Sequence, residues 1–113
     1  FANLNRGWAR AVVEVGVSYE TDVRLALRAL EAVGRQWAEE SGAALEPPVA
    51  QGIIRFGESE LVLRLMVKVD AAKRLEHEPE LRTRIKEAFD REGIRIPYPH
   101  RVVYLRREAL EEE

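Results

Sequence analysis

Between Leu61 and Val69 every second residue is apolar: Leu61, Leu63, Leu65, Val67 and Val69. Only an extended chain turns those five side chains to one side, so this segment is a strand with one buried face that other elements must cover. A cover of different period lies upstream. Val23, Ala26, Leu27, Leu30, Val33 and Trp37 recur at spacings of three and four, which winds them onto one stripe of an amphipathic helix. Thr21 and Asp22 offer side-chain oxygens to the unpaired N–H groups at its start. Its predicted end is near Glu40, because Gly42 can adopt the left-handed conformation that closes a helix and Pro47-Pro48 cannot continue one.

The remaining segments follow the same two periods. Ala11, Val13, Val15 and Val17 form the apolar side of an earlier strand, with Val12, Glu14 and Gly16 on its other side. Val49 to Phe56 has β-branched and aromatic character, and Gly57-Glu58-Ser59-Glu60 joins it to the alternating strand as a hairpin. Leu81, Ile85, Ala88 and Phe89 define a second helix that stops at Gly93. Pro79 fits best in the first turn of that helix, which makes residues 71–78 a preceding turn. Ile94 to Pro97 is expected to resume extended structure, and Arg101 to Arg106 to form a short strand. The resulting order is strand, helix, strand, strand, helix, strand. That is an α+β fold of ferredoxin-like type, a split βαβ sandwich with two helices on one face of an antiparallel sheet and a short C-terminal strand.

At 113 residues the chain has room for one core. Its 46% hydrophobic and 34% charged residues place it among folded domains rather than disordered chains. A formal charge of -2 argues against non-specific attraction to nucleic acid or to an anionic membrane. Without cysteine there is no disulfide, thiolate nucleophile or Cys-based zinc site. The aliphatic runs are far shorter than the ~20 residues a membrane-crossing helix needs. The chain opens on Phe1 with no apolar signal-peptide run, which reads as an excised or processed fragment.

Catalytic machinery is not legible. His77 and His100 fall in no recognisable ligand motif, Glu76, Glu78 and Glu80 beside His77 belonging to a charge-rich stretch, and Ser18, Ser41 and Ser59 lie outside any nucleophile elbow. Glu39-Glu40 and the pair Glu58 and Glu60 read as solvated carboxylates. Gly52 and Gly57 stand alone rather than in a phosphate loop. The loop after the first strand, SYETD, is acidic where an acylphosphatase-like enzyme would place an arginine. An RNA-binding sheet would display aromatic residues, yet the alternating strand turns Val62, Arg64, Met66 and Lys68 to its open side. No catalytic, cofactor or metal residue is therefore expected.

Two apolar features are left over. Val12, Val62 and Met66 lie on the sheet face that the helices do not cover; they are either scattered surface residues or a face covered by a neighbouring domain or subunit. After Pro97-Tyr98-Pro99, the strand Arg101 to Arg106 turns Val102 and Tyr104 one way and Val103 and Leu105 the other. An ordinary edge strand of the same sheet and a strand with partners on both sides fit that pattern equally.

Three runs in order, NLNRGWARAVVEVGVSYETDV, GIIRFGESELVLRLMVKV and RIKEAFDREGIRIPYPHRVVYL, resemble the cytoplasmic C-terminal region of small-conductance mechanosensitive channels over nearly the whole chain. The most specific pieces are Arg6-Gly7-Trp8 leading into the Val-rich strand, the VSYETD approach to the helix, and IKEAFD with GIRIPYP. The resemblance implies residues 1–10 as the exit from an Sm-like β domain, 11–97 as the α/β cytoplasmic domain, and 98–113 as a C-terminal barrel strand with an acidic tail. It implies a homo-oligomer of seven subunits forming a cage with side openings at the cytoplasmic face of the bacterial inner membrane. An upstream β domain and transmembrane pore would belong to the same chain, and the cage would filter solutes for osmolyte release in hypo-osmotic shock. Tyr98, Val102, Val103, Tyr104 and Leu105, together with Val12, Val62 and Met66, would then be subunit contacts. This fragment itself would not span the membrane and would bind no nucleic acid. The competing expectation is a free-standing ferredoxin-like regulatory module that binds a small molecule.

Overall fold

The computed structural model describes residues 7–97. Within them the order is strand β1 (Trp8–Val17), helix α1 (Val23–Ser41), strands β2 (Val49–Phe56) and β3 (Leu61–Asp70), a 3-10 turn (Ala71–Lys73) and helix α2 (Arg74–Glu92). The three strands form one antiparallel sheet in the order β1-β3-β2. The strictly alternating segment is thus the central strand, the position that needs a partner on each side. β1 runs in unbroken register along it from Trp8↔Asp70 to Val17↔Leu61. β2 pairs less regularly, with Gln51 opposite Arg64 and Arg55 opposite Val62, so two extra residues bulge between them.

The register carries Ala11, Val13 and Val17 to the same face as Leu61, Leu63, Leu65, Val67 and Val69, and both helices pack there. α1 contributes Ala26, Leu30, Val33 and Trp37; α2 contributes Leu81, Ile85, Ala88 and Phe89. The expected α+β architecture with its helices on one face is the observed one. α1 begins as the sequence indicates, Asp22 Oδ1 accepting from the backbone N–H groups of Arg24 and Leu25. It closes on Gly42 at φ 65°, a left-handed turn in which glycine pays no Cβ penalty. Gly34 lies inside α1 for a different reason: a Cβ there would come within 2.9 Å of Pro48 Cβ and 3.1 Å of Leu65 Cδ1. The helix rests on the sheet at that point.

Two expectations need correction. Residues 71–78 are not merely a turn: the 3-10 turn ends at Lys73, and α2 is already helical from Arg74, with Pro79 inside it. The proline forfeits only one bond, to the carbonyl of Leu75, and Leu75 is 72% exposed, so water can satisfy that carbonyl. Thr83 Oγ1 in turn donates to the Pro79 carbonyl. Ile94–Pro97, expected to resume extended structure, joins no strand of the sheet. Ile94 is buried at the end of the core, and the Arg95 carbonyl accepts one bond from Ser18 N–H at 3.1 Å. The expected strand Arg101–Arg106 lies outside the described residues.

Candidate functional site

Pairing fixes which residues meet on the open face of the sheet. Val12 lies opposite Met66, and Met66 opposite Val49, so one apolar row crosses all three strands. Val12 and Met66 are half-buried and Val49 is 52% exposed. The neighbouring row is polar: Glu14 opposite Arg64, and Arg64 opposite Gln51. Glu14 Oε2 accepts from Arg64 Nη2 at 3.0 Å, and Glu14 Oε1 stands 3.8 Å from Arg55. Arg64 Nη1 reaches Gln51 Oε1 at 3.4 Å, while its buried Nε finds no partner among the described residues. On the far side of the apolar row lie Arg10 and Lys68, their cations 5.3 and 4.3 Å from the ring centre of Trp8. Lys68 also pairs with Glu46 at 3.4 Å.

Of the three apolar residues singled out on this face, Val12 and Met66 meet directly across the ladder. Val62 lies farther along, and its own chain covers it to 2% exposure between Gly16 and Arg55. The Glu60 side chain fills the space that a Cβ at Gly16 would need. The place of Val49 opposite Met66 depends on the bulge in β2, which shifts its partner by two residues and which periodicity does not reveal. Tyr98, Val102, Val103, Tyr104 and Leu105 lie outside the described residues.

The outer edge of β1 holds the second unexpected group. Glu78, on α2, is 9% exposed, and its Oε2 accepts from the backbone N–H of Val12 at 3.0 Å. Arg74 and Arg82, one turn to either side, approach its carboxylate at 3.3 and 3.8 Å. The arginines at i−4 and i+4 were the available signal, but a strand N–H as partner 66 residues away is a tertiary fact.

Chemistry elsewhere is sparse. His77 packs edge-on against Trp37, with ring centres 5.2 Å apart; no group of three His, Cys, Asp or Glu residues suited to a metal occurs among the described residues. His100 is not among them. Between the helices Arg84 joins Glu40 at 2.7 Å and Glu80 at 2.9 Å. The hydrogen bond from Arg84, then that from Gln36, holds the Glu40 carboxyl below the usual carboxylate range. Bonds to Glu80 and Glu40 push the Arg84 guanidinium up. An open groove of about 1080 Å³ lies beside the loop after β1, lined by Tyr19, Glu58, Lys86, Asp90, Arg95 and Pro97 among others. Lys86 and Asp90 neutralise each other there at 2.7 Å, and the Tyr19 hydroxyl donates to the Gly57 carbonyl.

The open face thus offers an apolar row flanked by charged side chains, a surface that a partner could cover. Comparison with known proteins gives the family. Residues 11–96 match the family described as "Mechanosensitive ion channel MscS, C-terminal". The chain belongs to that family. It is 27% identical over 103 residues to the small-conductance mechanosensitive channel of Caldanaerobacter subterraneus subsp. tengcongensis, covering 91% of this chain and 36% of that protein. The crystal structure of Helicobacter pylori MscS in its closed state superposes with a TM-score of 0.69 at 26% identity, covering 83% of this chain and 36% of the other. The chain therefore spans about a third of the length of these MscS relatives. No helix among its described residues is long and apolar enough to cross a membrane.

Proposed function

We propose that this MscS C-terminal domain serves as part of the cytoplasmic cage of a small-conductance mechanosensitive channel at the bacterial inner membrane. In this reading seven copies surround a shared vestibule, and openings between them filter the solutes that leave during hypo-osmotic shock. The pore that senses tension belongs to other parts of the same protein. The match of residues 11–96 to the channel family carries the reading. The mixed open face supports it, since a partner can cover the row Val12, Met66 and Val49 while charged neighbours set its register. Val62 would sit at the margin of that contact. Residues 1–10 lead in from a β domain, residues 11–97 form the wall, and residues 98–113 supply a barrel strand in which Tyr98, Val102, Val103, Tyr104 and Leu105 meet neighbouring subunits.

Two measurements test this. A full-length channel carrying this domain, expressed in bacteria stripped of their own mechanosensitive channels, should restore survival of a sudden drop in osmolarity; failure of a membrane-inserted channel to do so would refute the role. Val103→Asp or Leu105→Asp buries a charge in the barrel strand. It should weaken assembly of the detergent-solubilised channel in light scattering while leaving the circular dichroism of this domain unchanged. Intact heptamers would count against the barrel strand.

A further inference from the structure

Among the described residues β1 is an outer strand, and an outer strand offers unpaired N–H and C=O groups to any strand that can lie alongside it. The alternation that turns the Val12 N–H away from β3 turns those of Arg10, Glu14, Gly16 and Ser18 the same way. Ser18 is taken by the Arg95 carbonyl, and Val12 by Glu78. Arg10, Glu14 and Gly16 have no backbone partner among the described residues. The two blocked positions differ in kind. Arg95 follows α2 as ordinary chain, whereas Glu78 is a carboxylate brought into near-complete burial, with two arginines to offset its charge.

The edge it closes is complementary to itself. Consider two copies of β1 antiparallel and centred on Val12. Val12 then exchanges both backbone bonds with Val12 of the second copy, while Arg10 faces Glu14 and Glu14 faces Arg10. Trp8 falls opposite Gly16, where only the flexible Glu60 side chain has to swing aside. Every outward N–H from Arg10 to Glu14 finds an acceptor, each charged side chain meets the opposite sign, and two three-stranded sheets fuse into one by two-fold symmetry.

We infer that Glu78 is a plug: it occupies the central ladder position of the β1 edge and thereby stops a second copy of this chain from adding there, edge to edge. Nothing in this depends on the channel role, since it concerns a contact the wild-type chain avoids.

Amide hydrogen exchange on the wild-type chain gives the first reading. The Val12 amide should exchange more slowly than those of Arg10, Glu14 and Gly16 by on the order of 100-fold, as a bonded group flanked by open ones. Protection of all four alike would mean that another strand already pairs there, and would overturn the inference. Glu78→Ala should raise the solution mass above wild type in a concentration-dependent way and extend protection to Arg10 and Glu14. Adding Val12→Pro removes the central donor at an edge position where proline is tolerated, and should return the mass to the wild-type value. Glu78→Gln keeps an acceptor at the plug and should stay at wild-type mass. An unchanged mass for a folded Glu78→Ala, or association that survives Val12→Pro, would refute the plug. Should Glu78→Ala fail to fold, the wild-type exchange pattern decides alone.

Discussion

The two faces of the sheet are made from the same strands, residue by residue in alternation, yet they are governed by different physics. On the covered face Leu63, Leu65, Val69 and Trp37 are excluded from water, and any apolar side chain of the right volume satisfies the site. On the open face Val12, Met66 and Val49 form one row between a Glu14–Arg64–Gln51 row and the Arg10–Lys68 pair over Trp8. There the identity of each neighbour matters, because Glu14 answers Arg64 and Arg55 while the cations Arg10 and Lys68 share the Trp8 ring, and the apolar content is too small to drive folding. The covered face makes the domain; the open face decides what the domain can lie against.

Truncation should separate the two faces most sharply. Trp37→Ala removes a side chain that is 2% exposed and should cost about 3–5 kcal/mol of unfolding free energy, by analogy with other large aromatic deletions in cores. Met66→Ala, half a sheet thickness away on the open side, should cost under about 1 kcal/mol because water already reaches part of it. Urea titration of both variants checks the pair. A Met66 loss as large as the Trp37 loss would show that the open face is a second core rather than a contact surface.

The covered face also has a point where volume cannot be added. Gly34 sits where α1 meets Pro48 and Leu65, and the proline ring does not swing aside. Gly34→Val gains some helix propensity, but overpacking should outweigh it and leave a net loss of about 2 kcal/mol. A stabilised Gly34→Val in the same titration would mean that α1 can lift from the sheet without penalty, and the tight contact would lose its meaning.

This difference between the faces is also why one was legible and the other was not. The odd positions from Leu61 to Val69 and the helix stripe ending in Trp37 announce a buried face by period alone, and Asp22 and Gly42 mark where α1 starts and stops. The open face depends on register, and register depends on the β2 bulge between Gln51 and Arg55, a tertiary adjustment with no periodic signature. Val49 was hidden for that reason. Glu78 was hidden for another: its sequence neighbours are charged, so it reads as one more solvated acid, and only the fold brings it to the N–H of Val12. Pro79 misled because the bond that a proline in a helix forfeits falls here on Leu75, a residue on the exposed side of α2.

The smallest effect belongs to neither face, and it bounds how much the helix exteriors add. Arg84 bridges Glu40 on α1 to Glu80 on α2, and the Glu40 carboxyl is held below its ordinary range by that contact. A carboxyl depressed in the folded state stabilises the fold at pH values above its unfolded pKa, and the contribution fades as pH falls through the lower, folded value. The raised guanidinium of Arg84 has the opposite sign, contributing at every pH below the arginine range and so adding no slope between neutral and acid. Acid titration of wild type against Glu40→Gln should therefore show curves that coincide below the carboxylate range and separate above it, wild type the more stable. Because the Glu40 side chain is open to solvent, the separation should be slight and should shrink further as salt screens the pair. A wide, salt-insensitive gap would mean that the two helices are locked together by charge, and the sheet core would no longer account for how they stay in place.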